Sequence, residues 1–172
     1  MDNTKKHSLI LVGMPGAGKS TVGIVLAKAL AKDFIDTDLL IQLRAGKPLQ
    51  AIIDSEGYQR LRDLEEEALL AHEFFNHIVA TGGSAVYSEK GMNHLKQYGQ
   101  VIYLDANLDT LRSRIHNYES RGIAKRNDQT FDDLFKERQA LYRKYADLII
   151  DCNHDQLEKV VCDIQAQIEE TS

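Results

Sequence analysis

The segment SLILVGMPGAGKS, residues 8–20, joins an apolar run to a glycine-rich turn and decides the fold class of this chain. Residues 13–20 match the pattern G-x-x-x-x-G-K-[ST], which follows a buried strand and opens a helix. Glycines in this turn let backbone N–H groups surround a phosphate, and the helix adds the positive end of its dipole. We therefore predict that the chain binds ATP through this phosphate loop, with contacts from Gly13, Gly16, Ala17, Gly18, Lys19, Ser20 and Thr21.

Two residues of the phosphate loop have more specific expected roles. Lys19 should reach the β- and γ-phosphates, and the hydroxyl of Ser20 should ligate Mg²⁺. The loop alone does not identify what receives the phosphoryl group, because ATPases, GTPases and kinases share it. No N/T-K-x-D element for reading guanine is found in the sequence, which disfavours a GTPase. A glycine-rich turn without a ligand is the alternative interpretation of the same residues.

The size and charge of the chain argue against several classes of protein. Its 172 residues fit one domain, so we expect a single domain over residues 1–172. The net charge of −5 argues against nucleic-acid binding. No apolar run reaches the ~18–20 residues that span a membrane, and no cleavable signal peptide is recognised. The two cysteines form no metal or disulfide pattern, which indicates a cytoplasmic protein. We expect a monomer that acts on a small molecule.

Short apolar runs alternate with longer amphipathic stretches along the chain. The apolar runs predict buried strands at 8–12, 78–80, 101–104 and 148–150. The amphipathic stretches predict helices at 21–31, 47–56, 61–75, 108–116, 132–145 and 156–168. Strands that alternate with helices indicate βαβ units around a parallel sheet that is covered on both faces. We therefore predict an α/β fold.

Two pairs of side chains suggest an acceptor site beside the phosphate loop. Asp36 and Asp38 are two residues apart, and on an extended strand end their carboxylates would point the same way. One could hold Mg²⁺ through water and the other could accept a proton from a substrate hydroxyl, whereas a solvated turn is the alternative. Arg62 and Glu65 lie at i and i+3 of a predicted helix, so the carboxylate could orient the guanidinium toward a substrate carboxylate. A surface ion pair is the alternative for this pair.

Together with further segments, these residues resemble the shikimate kinase family of small-molecule kinases over residues 13–147. The family patterns F-x-D-[ST]-D and G-E-x-x-F-R-x-x-E resemble residues 34–38 and the segment that contains Gly57, Arg62 and Glu65. The patterns T-G-G-G and E-R-x-P-L-Y resemble residues 81–84 and 137–142, and a lid segment R-P-L resembles residues 121–123. The chain departs from these patterns at Tyr58, Ser84, Gly122 and Ala140, which replace glutamate, glycine, proline and proline.

The resemblance implies a fold and an activity. The fold is the three-layer fold of the nucleoside monophosphate kinases, with a five-stranded parallel sheet. A substrate-binding region at about 33–61 and a mobile lid at about 112–126 are implied as well. The implied reaction is ATP-dependent phosphorylation of the 3-hydroxyl of shikimate, a step of aromatic amino-acid biosynthesis.

The resemblance also implies roles for single residues of this chain. Asp36 is expected to serve the metal, and Asp38 is expected to be the catalytic base. Arg121 on the lid is expected to act with Lys19 on the transferring phosphate and on the nucleotide, while Arg114 lies near the adenine. Contacts to the substrate are expected from Asp38, Arg62, Glu65, Gly82, Gly83 and Arg138. The two arginines of that set would bind its carboxylate.

Two other functions stay open at this point. The four departures are compatible with a kinase of another small hydroxylated carboxylate or of a sugar. A nucleotide-binding regulatory module with weak catalysis is the third hypothesis, and it would require a partner protein in place of a small acceptor. The retention of acceptor-site residues in four separate segments favours the first hypothesis.

Overall fold

The computed structural model describes residues 8–116 and 121–171. Its strands are β1 (Ser8–Val12), β2 (Asp33–Asp36), β3 (His77–Ala80), β4 (Gly99–Asp105) and β5 (Leu148–Asp151). They form one sheet in the order β2-β3-β1-β4-β5, and every neighbouring pair is parallel. The predicted α/β fold with a five-stranded parallel sheet is therefore confirmed.

The helices connect these strands. They are α1 (Lys19–Leu30), α2 (Thr37–Ala45), α3 (Leu49–Glu56), α4 (Tyr58–Leu70), α5 (Glu89–Lys96), α6 (Leu108–Arg114), α7 (Phe131–Tyr145) and α8 (Leu157–Thr171). A short 3₁₀ helix covers Ala85–Tyr87. In the described part of the chain, no helix combines the length and the apolar character needed to span a membrane.

The position of β1 determines where a ligand can bind. Every residue of β1 is buried, and the strand lies between β3 and β4. The later strands therefore lie on both sides of β1, with β2 and β3 on one side and β4 and β5 on the other. Open α/β sheets bind ligands at such a point, outside the carboxyl ends of the strands. The phosphate loop, the residues after β2 and the residues after β3 all leave the sheet at this edge.

The helices differ from the sequence-based prediction in three places. Helix α2 was not predicted; it starts directly after β2, because the side chain of Asp36 caps it by accepting a hydrogen bond from the N–H of Asp38. Helix α4 begins after Gly57 and covers Tyr58–Leu70, whereas the predicted span was 61–75. Helix α5 was also not predicted. The predicted extended geometry of Asp36 and Asp38 is wrong, since Asp38 lies in the first turn of α2.

The apolar interior formed by residues 8–116 and 121–171 consists of two separate clusters. The large one surrounds the sheet and includes Ile10, Leu11, Ile78 and Ile102. We call the second one the small cluster; its buried members are Ile41, Leu49, Ile52, Leu61, Leu64, Ala68 and Ala124. The small cluster joins helices α2, α3 and α4 to the chain around residue 124, and it lies beside the edge of the sheet where the phosphate loop is found.

Candidate functional site

The phosphate loop connects β1 to α1, and the side chain of Lys19 lies across the loop. Gly18 caps α1 with a φ of +98°, a conformation that favours glycine. The ammonium of Lys19 donates to the carbonyls of Gly13 at 2.6 Å and Met14 at 3.0 Å. Burial lowers the pKa of Lys19 to about 8, although the nearby Asp38 carboxylate opposes this shift. Lys19 is therefore cationic at neutral pH and is held over the loop, where a phosphate would contact it.

Ser20 and Asp36 bring two hard oxygen ligands together beside the loop. The hydroxyl of Ser20 donates to Oδ2 of Asp36 at 2.7 Å, and Oδ1 of Asp36 accepts from the N–H of Asp38 at 2.9 Å. A hydroxyl and a carboxylate next to a phosphate site are the ligands that Mg²⁺ accepts together with phosphate oxygens. The residues present therefore fit Mg²⁺.

Asp38 lies next to the phosphate loop, close enough for its carboxylate to act on the pKa of Lys19. Burial raises the pKa of Asp38 to about 6, and the Asp36 carboxylate adds to this effect while Lys19 opposes it. A Cβ on Gly82 would lie 2.6 Å from Oδ1 of Asp38, so only a glycine lets the backbone after β3 approach this carboxylate. At neutral pH Asp38 is ionised and able to accept a proton.

A cavity of about 150 Å³ collects most of the predicted site residues. Its walls include Gly16, Gly18, Lys19, Ser20, Thr21, Asp38, Glu65, Gly82, Gly83, Arg121 and Arg138. Ser84, Gly122 and Ala124 complete this part of the lining. Two cationic side chains, Lys19 and Arg138, and the carboxylate of Asp38 thus face one space next to the phosphate loop, although they come from elements far apart in the sequence.

Glu65 has a different partner from the one predicted. Its Oε2 accepts a hydrogen bond from the hydroxyl of Ser84, and its Oε1 is buried without a hydrogen-bond partner. Among the described residues Glu65 forms no ion pair with Arg62, so the prediction that Glu65 orients that guanidinium is wrong. Burial raises the pKa of Glu65 to about 7, and the Asp38 carboxylate adds to the shift. Ser84 has a φ of −93°, a value that any residue adopts.

The two predicted substrate arginines converge on one oxygen. Nη2 of Arg138 donates to the carbonyl of Ala124 at 2.7 Å, and Nη2 of Arg62 donates to the same carbonyl at 3.4 Å. Arg138 is 1% exposed and lies against Gly83, where a Cβ would be 2.6 Å from its Nη1. Arg62 lines an adjacent cleft that shares Glu65 and Ser84 with the main cavity. The Nε atoms of both arginines are buried without a hydrogen-bond partner.

Three tyrosines around the arginines were not identified from the sequence as site residues. The hydroxyl of Tyr142 donates to the carbonyl of Gly83 at 2.6 Å, which ties α7 to the loop after β3. The rings of Tyr87 and Tyr58 lie 3.7 Å and 5.0 Å from the guanidinium carbon of Arg62. Tyr58 had a sequence signal, since it replaces a glutamate of the family pattern, whereas Tyr87 had none.

The predicted lid is described in part, because residues 117–120 lie outside the described residues. Arg121 is exposed at the cavity wall, and its charge acts on Lys19 and Asp38. Gly122 has a φ of +71°, and its N–H donates to Oε1 of Gln50 at 3.0 Å. Residues 121–124 therefore lie against α3, with Ala124 inside the small cluster.

Arg114 and Ala17 lie in a separate cleft of about 210 Å³ beside the phosphate loop. Nη2 of Arg114 donates to the carbonyls of Cys152 at 2.8 Å and His154 at 3.2 Å. These contacts fix the guanidinium at the wall of the cleft. Residues 152–160 provide another part of the wall.

Comparisons with known proteins agree with this geometry. A sequence model described as shikimate kinase matches residues 15–169. The shikimate kinase of Pseudomonas fluorescens (strain Pf0-1) is 38% identical over 162 residues, which are 92% of this chain and 94% of that protein. Shikimate kinase 2 of Enterobacter sp. (strain 638) is 35% identical over 150 residues, 84% of this chain and 86% of that protein. The structure of shikimate kinase from Acinetobacter baumannii in complex with shikimate superposes with a TM-score of 0.89 at 30% identity, covering 98% of this chain and 96% of that one.

Proposed function

This chain belongs to the shikimate kinase family, and we propose from that premise that it transfers the γ-phosphoryl group of ATP to the 3-hydroxyl of shikimate. The observation that carries the proposal is the convergence of Arg62 and Arg138 on one carbonyl oxygen, beside a cavity that also contains Asp38 and Lys19. A carboxylate with a hydroxyl a few ångströms away fits this arrangement. Shikimate carries both groups on one small ring.

In this proposal the arginines bind the substrate carboxylate. The carbonyl of Ala124 occupies the donors of Arg62 and Arg138, and a carboxylate oxygen would take its place. An anion receives stronger hydrogen bonds from guanidinium than a neutral carbonyl does, so the exchange favours the substrate. Gly82 and Gly83 provide the space between the arginines and Asp38.

Asp38 would accept the proton of the attacking hydroxyl. Because its pKa is about 6, the carboxylate is ionised at neutral pH and still more basic than an exposed aspartate. Lys19 and Arg121 would stabilise the charge on the transferring phosphoryl group, which is the main requirement of this reaction. The same proposal assigns residues 112–126 to a lid. It assigns residues 33–61 to a substrate-binding region of the same single domain.

The nucleotide would lie across the phosphate loop, with its adenine in the cleft beside Arg114. Gly13, Gly16, Ala17, Gly18 and Thr21 would surround the phosphates. Ser20 and Asp36 would hold Mg²⁺, which when bound neutralises charge on the phosphate oxygens. The Ser20–Asp36 hydrogen bond keeps both oxygens at this position before the nucleotide binds.

A coupled ADP-release assay with Mg-ATP, run with and without shikimate, tests this function. We expect ADP release that depends on shikimate, and the product should be 3-phosphoshikimate by mass and NMR. Lys19→Met is the control, because it keeps the length of the side chain and removes the charge that contacts the phosphates. If the wild type binds ATP and shikimate does not stimulate ADP release, the proposed function is wrong.

Ser84 favours a second candidate function, phosphorylation of another small hydroxylated carboxylate. Its side chain lies in the cavity wall where the family pattern has glycine, and it forms a hydrogen bond to Glu65. This hydroxyl reduces the space and adds a polar group next to the substrate. Comparison of kcat/KM for shikimate with a panel of hydroxy acids and sugars separates the two candidates, since the true acceptor should have the highest value.

A further inference from the structure

Arg62 is half-buried and, among the described residues, has no carboxylate partner to orient its guanidinium. Within the described residues its side chain donates one hydrogen bond, over 3.4 Å to the carbonyl of Ala124, and its Nε is buried without a hydrogen-bond partner. In the described part of the chain no carboxylate lies within ion-pair distance of it. Its guanidinium nevertheless has a defined environment, because the ring of Tyr87 lies 3.7 Å from its central carbon and the ring of Tyr58 lies 5.0 Å away.

We propose that Tyr87, assisted by Tyr58, is the positioning residue that holds the guanidinium of Arg62 for the carboxylate of the substrate. The proposal rests on the proposed function, since it concerns the same acceptor site. Tyr87 does not touch the reacting atoms. It acts through Arg62, and its contribution is to the binding of the acceptor and not to the transfer of the phosphoryl group.

An aromatic ring holds an arginine differently from a carboxylate. The ring attracts the cation through the face of the guanidinium, where there are no N–H donors. The ring therefore occupies none of the N–H donors at the edge of the guanidinium, of which Nη2 donates to the carbonyl of Ala124 and Nε has no hydrogen-bond partner. A carboxylate partner would occupy two of these donors and would cancel the positive charge before the substrate arrived. Two tyrosines thus fix Arg62 while leaving its charge and its donors for an anion.

Tyr87 is itself anchored, so it can fix another group. Its hydroxyl donates to Oε1 of Glu137 at 2.7 Å, and the other oxygen of Glu137 accepts from Gln129 at 2.9 Å. The same ring lies 5.5 Å from the guanidinium carbon of Arg138. One ring therefore faces both arginines, and its negative π-face offsets the repulsion between two cations that must stay close together.

Tyr87 lies a few residues after the segment that lines the cavity wall. The 3₁₀ helix Ala85–Tyr87 follows Gly82, Gly83 and Ser84 directly, and Ala85 and Val86 are each 1% exposed. Two buried side chains therefore fasten the turn that ends in Tyr87. Ser84 in the cavity wall and Tyr87, whose ring contacts Arg62, are thus joined by two buried residues.

The test compares Tyr87→Leu with Tyr87→Phe in the ADP-release assay. Leucine removes the ring, so we expect KM for shikimate to rise about tenfold, the change expected from loss of one cation–π contact at a half-buried site. We expect kcat and KM for ATP to stay within about twofold of the wild type. Phenylalanine keeps the ring, so it should restore KM for shikimate to within about threefold of the wild type. Tyr58→Leu, with its more distant ring, should raise KM less than Tyr87→Leu.

Two further measurements show whether Tyr87 acts through Arg62. In an Arg62→Ala background, Tyr87→Leu should raise the dissociation constant for shikimate no further, because the group that it positions is gone. A shikimate analogue with a primary alcohol in place of the carboxylate should be bound equally by the wild type and by Tyr87→Leu. Equal losses with and without Arg62, or a Tyr87→Phe variant as impaired as Tyr87→Leu, would overturn the proposal.

Shikimate-dependent ADP release by the wild type tests the proposed function separately from the role of Tyr87. No shikimate-dependent ADP release by the wild type would contradict the proposed function. Normal turnover of shikimate by the wild type together with an unchanged KM in Tyr87→Leu would contradict the role of Tyr87 and leave the function in place. Thermal unfolding and KM for ATP, measured on each variant, identify a loss that comes from misfolding.

Discussion

Glu65 shows how burial sets the protonation state of a carboxyl group inside this site. The residue is 3% exposed, one of its oxygens has no hydrogen-bond partner, and burial raises its pKa to about 7. The hydrogen bond from Ser84 works in the opposite direction, because a hydroxyl donor stabilises the ionised form. Between pH 4.5 and about 7 the folded protein therefore holds a proton on Glu65 that the unfolded chain has released.

This difference predicts a pH-dependent effect of Glu65→Gln on stability. A proton bound only by the folded state makes the free energy of unfolding fall as the pH rises from 4.5 to about 7. Glutamine does not titrate, so the wild type should lose roughly 3 kcal/mol relative to Glu65→Gln across that interval. Urea denaturation of both proteins at several pH values measures the change.

Glu73→Gln is the matched control for that experiment, because Glu73 is an exposed glutamate just after α4. Its stability difference from the wild type should stay nearly constant over the same interval. Ser84→Ala should raise the pH at which the free energy of unfolding stops falling, because this variant lacks the hydroxyl donor that favours ionised Glu65. A difference between wild type and Glu65→Gln that does not change with pH would contradict the assignment of a bound proton.

Asp38 gives a second prediction at the level of single residues. Asp38→Asn removes the proton acceptor and keeps the shape of the side chain, so kcat should fall by about 10²-fold or more, while the dissociation constant for ATP changes little. Steady-state kinetics and direct nucleotide binding measure the two effects. Asp33→Asn is the control, because Asp33 is exposed at the opposite end of β2. Turnover by Asp38→Asn close to that of Asp33→Asn would remove Asp38 from the mechanism.

Among the secondary-structure elements, β1 and the phosphate loop were predicted from the sequence and helix α2 was not. Strand β1 and the phosphate loop were predicted because a continuous apolar run and a fixed glycine pattern lie within a few residues. Helix α2 was missed because Leu39 and Leu43 are 53% and 71% exposed, so its apolar residues do not mark one face. The contact between Arg62 and Tyr87 could not be predicted, since their approach depends on the packing of α4 against the 3₁₀ helix.

The docking of residues 121–124 on α3 predicts different effects for two glycine substitutions. Gly122 and Gly46 have nearly the same φ, +71° and +69°, so alanine at either position should cost roughly 1 kcal/mol of strain. A Cβ on Gly122 would also lie 3.0 Å from the backbone N of Gln50, whereas a Cβ on Gly46 meets no atom within 4 Å. Gly122→Ala should therefore lower kcat/KM for shikimate by about tenfold, with ATP binding retained.

Gly46→Ala is the matched control for this prediction. It should lower stability less than Gly122→Ala does, because it adds backbone strain without a collision, and it should leave kcat/KM for shikimate nearly unchanged. Chemical denaturation and steady-state kinetics on both variants separate backbone strain from the collision with α3. Equal kinetic losses in the two variants would mean that the position of residues 121–124 on α3 has no part in turnover.

For the molecule as a whole, the division of the interior into two clusters predicts unequal local stability. The large cluster surrounds the sheet, whereas the small cluster has only seven buried residues on α2, α3, α4 and near residue 124. Fewer buried contacts allow a region to open without global unfolding. Amide hydrogens of α3 should therefore exchange faster than those of β1 and β4 in the free protein, as measured by mass spectrometry.

Ligands provide the control for the exchange experiment. ATP alone should slow exchange mainly in the phosphate loop and α1, whereas shikimate should slow exchange in α3 and in residues 121–124. Strand β4, which contacts neither proposed ligand, should change least. Equal protection of α3 and β1 in the free protein would contradict the separation into two independently opening clusters.

The cleft beside the phosphate loop takes part of its wall from residues 17–22 and part from residues 152–160. During synthesis the loop leaves the ribosome early, but the cleft cannot form until α8 has emerged. A nascent chain that stops before Val160 therefore carries the complete phosphate-binding motif without the second wall of the cleft. Because the proposed adenine site needs both walls, ATP should stabilise a chain that contains residues 152–160 more than one that ends before them.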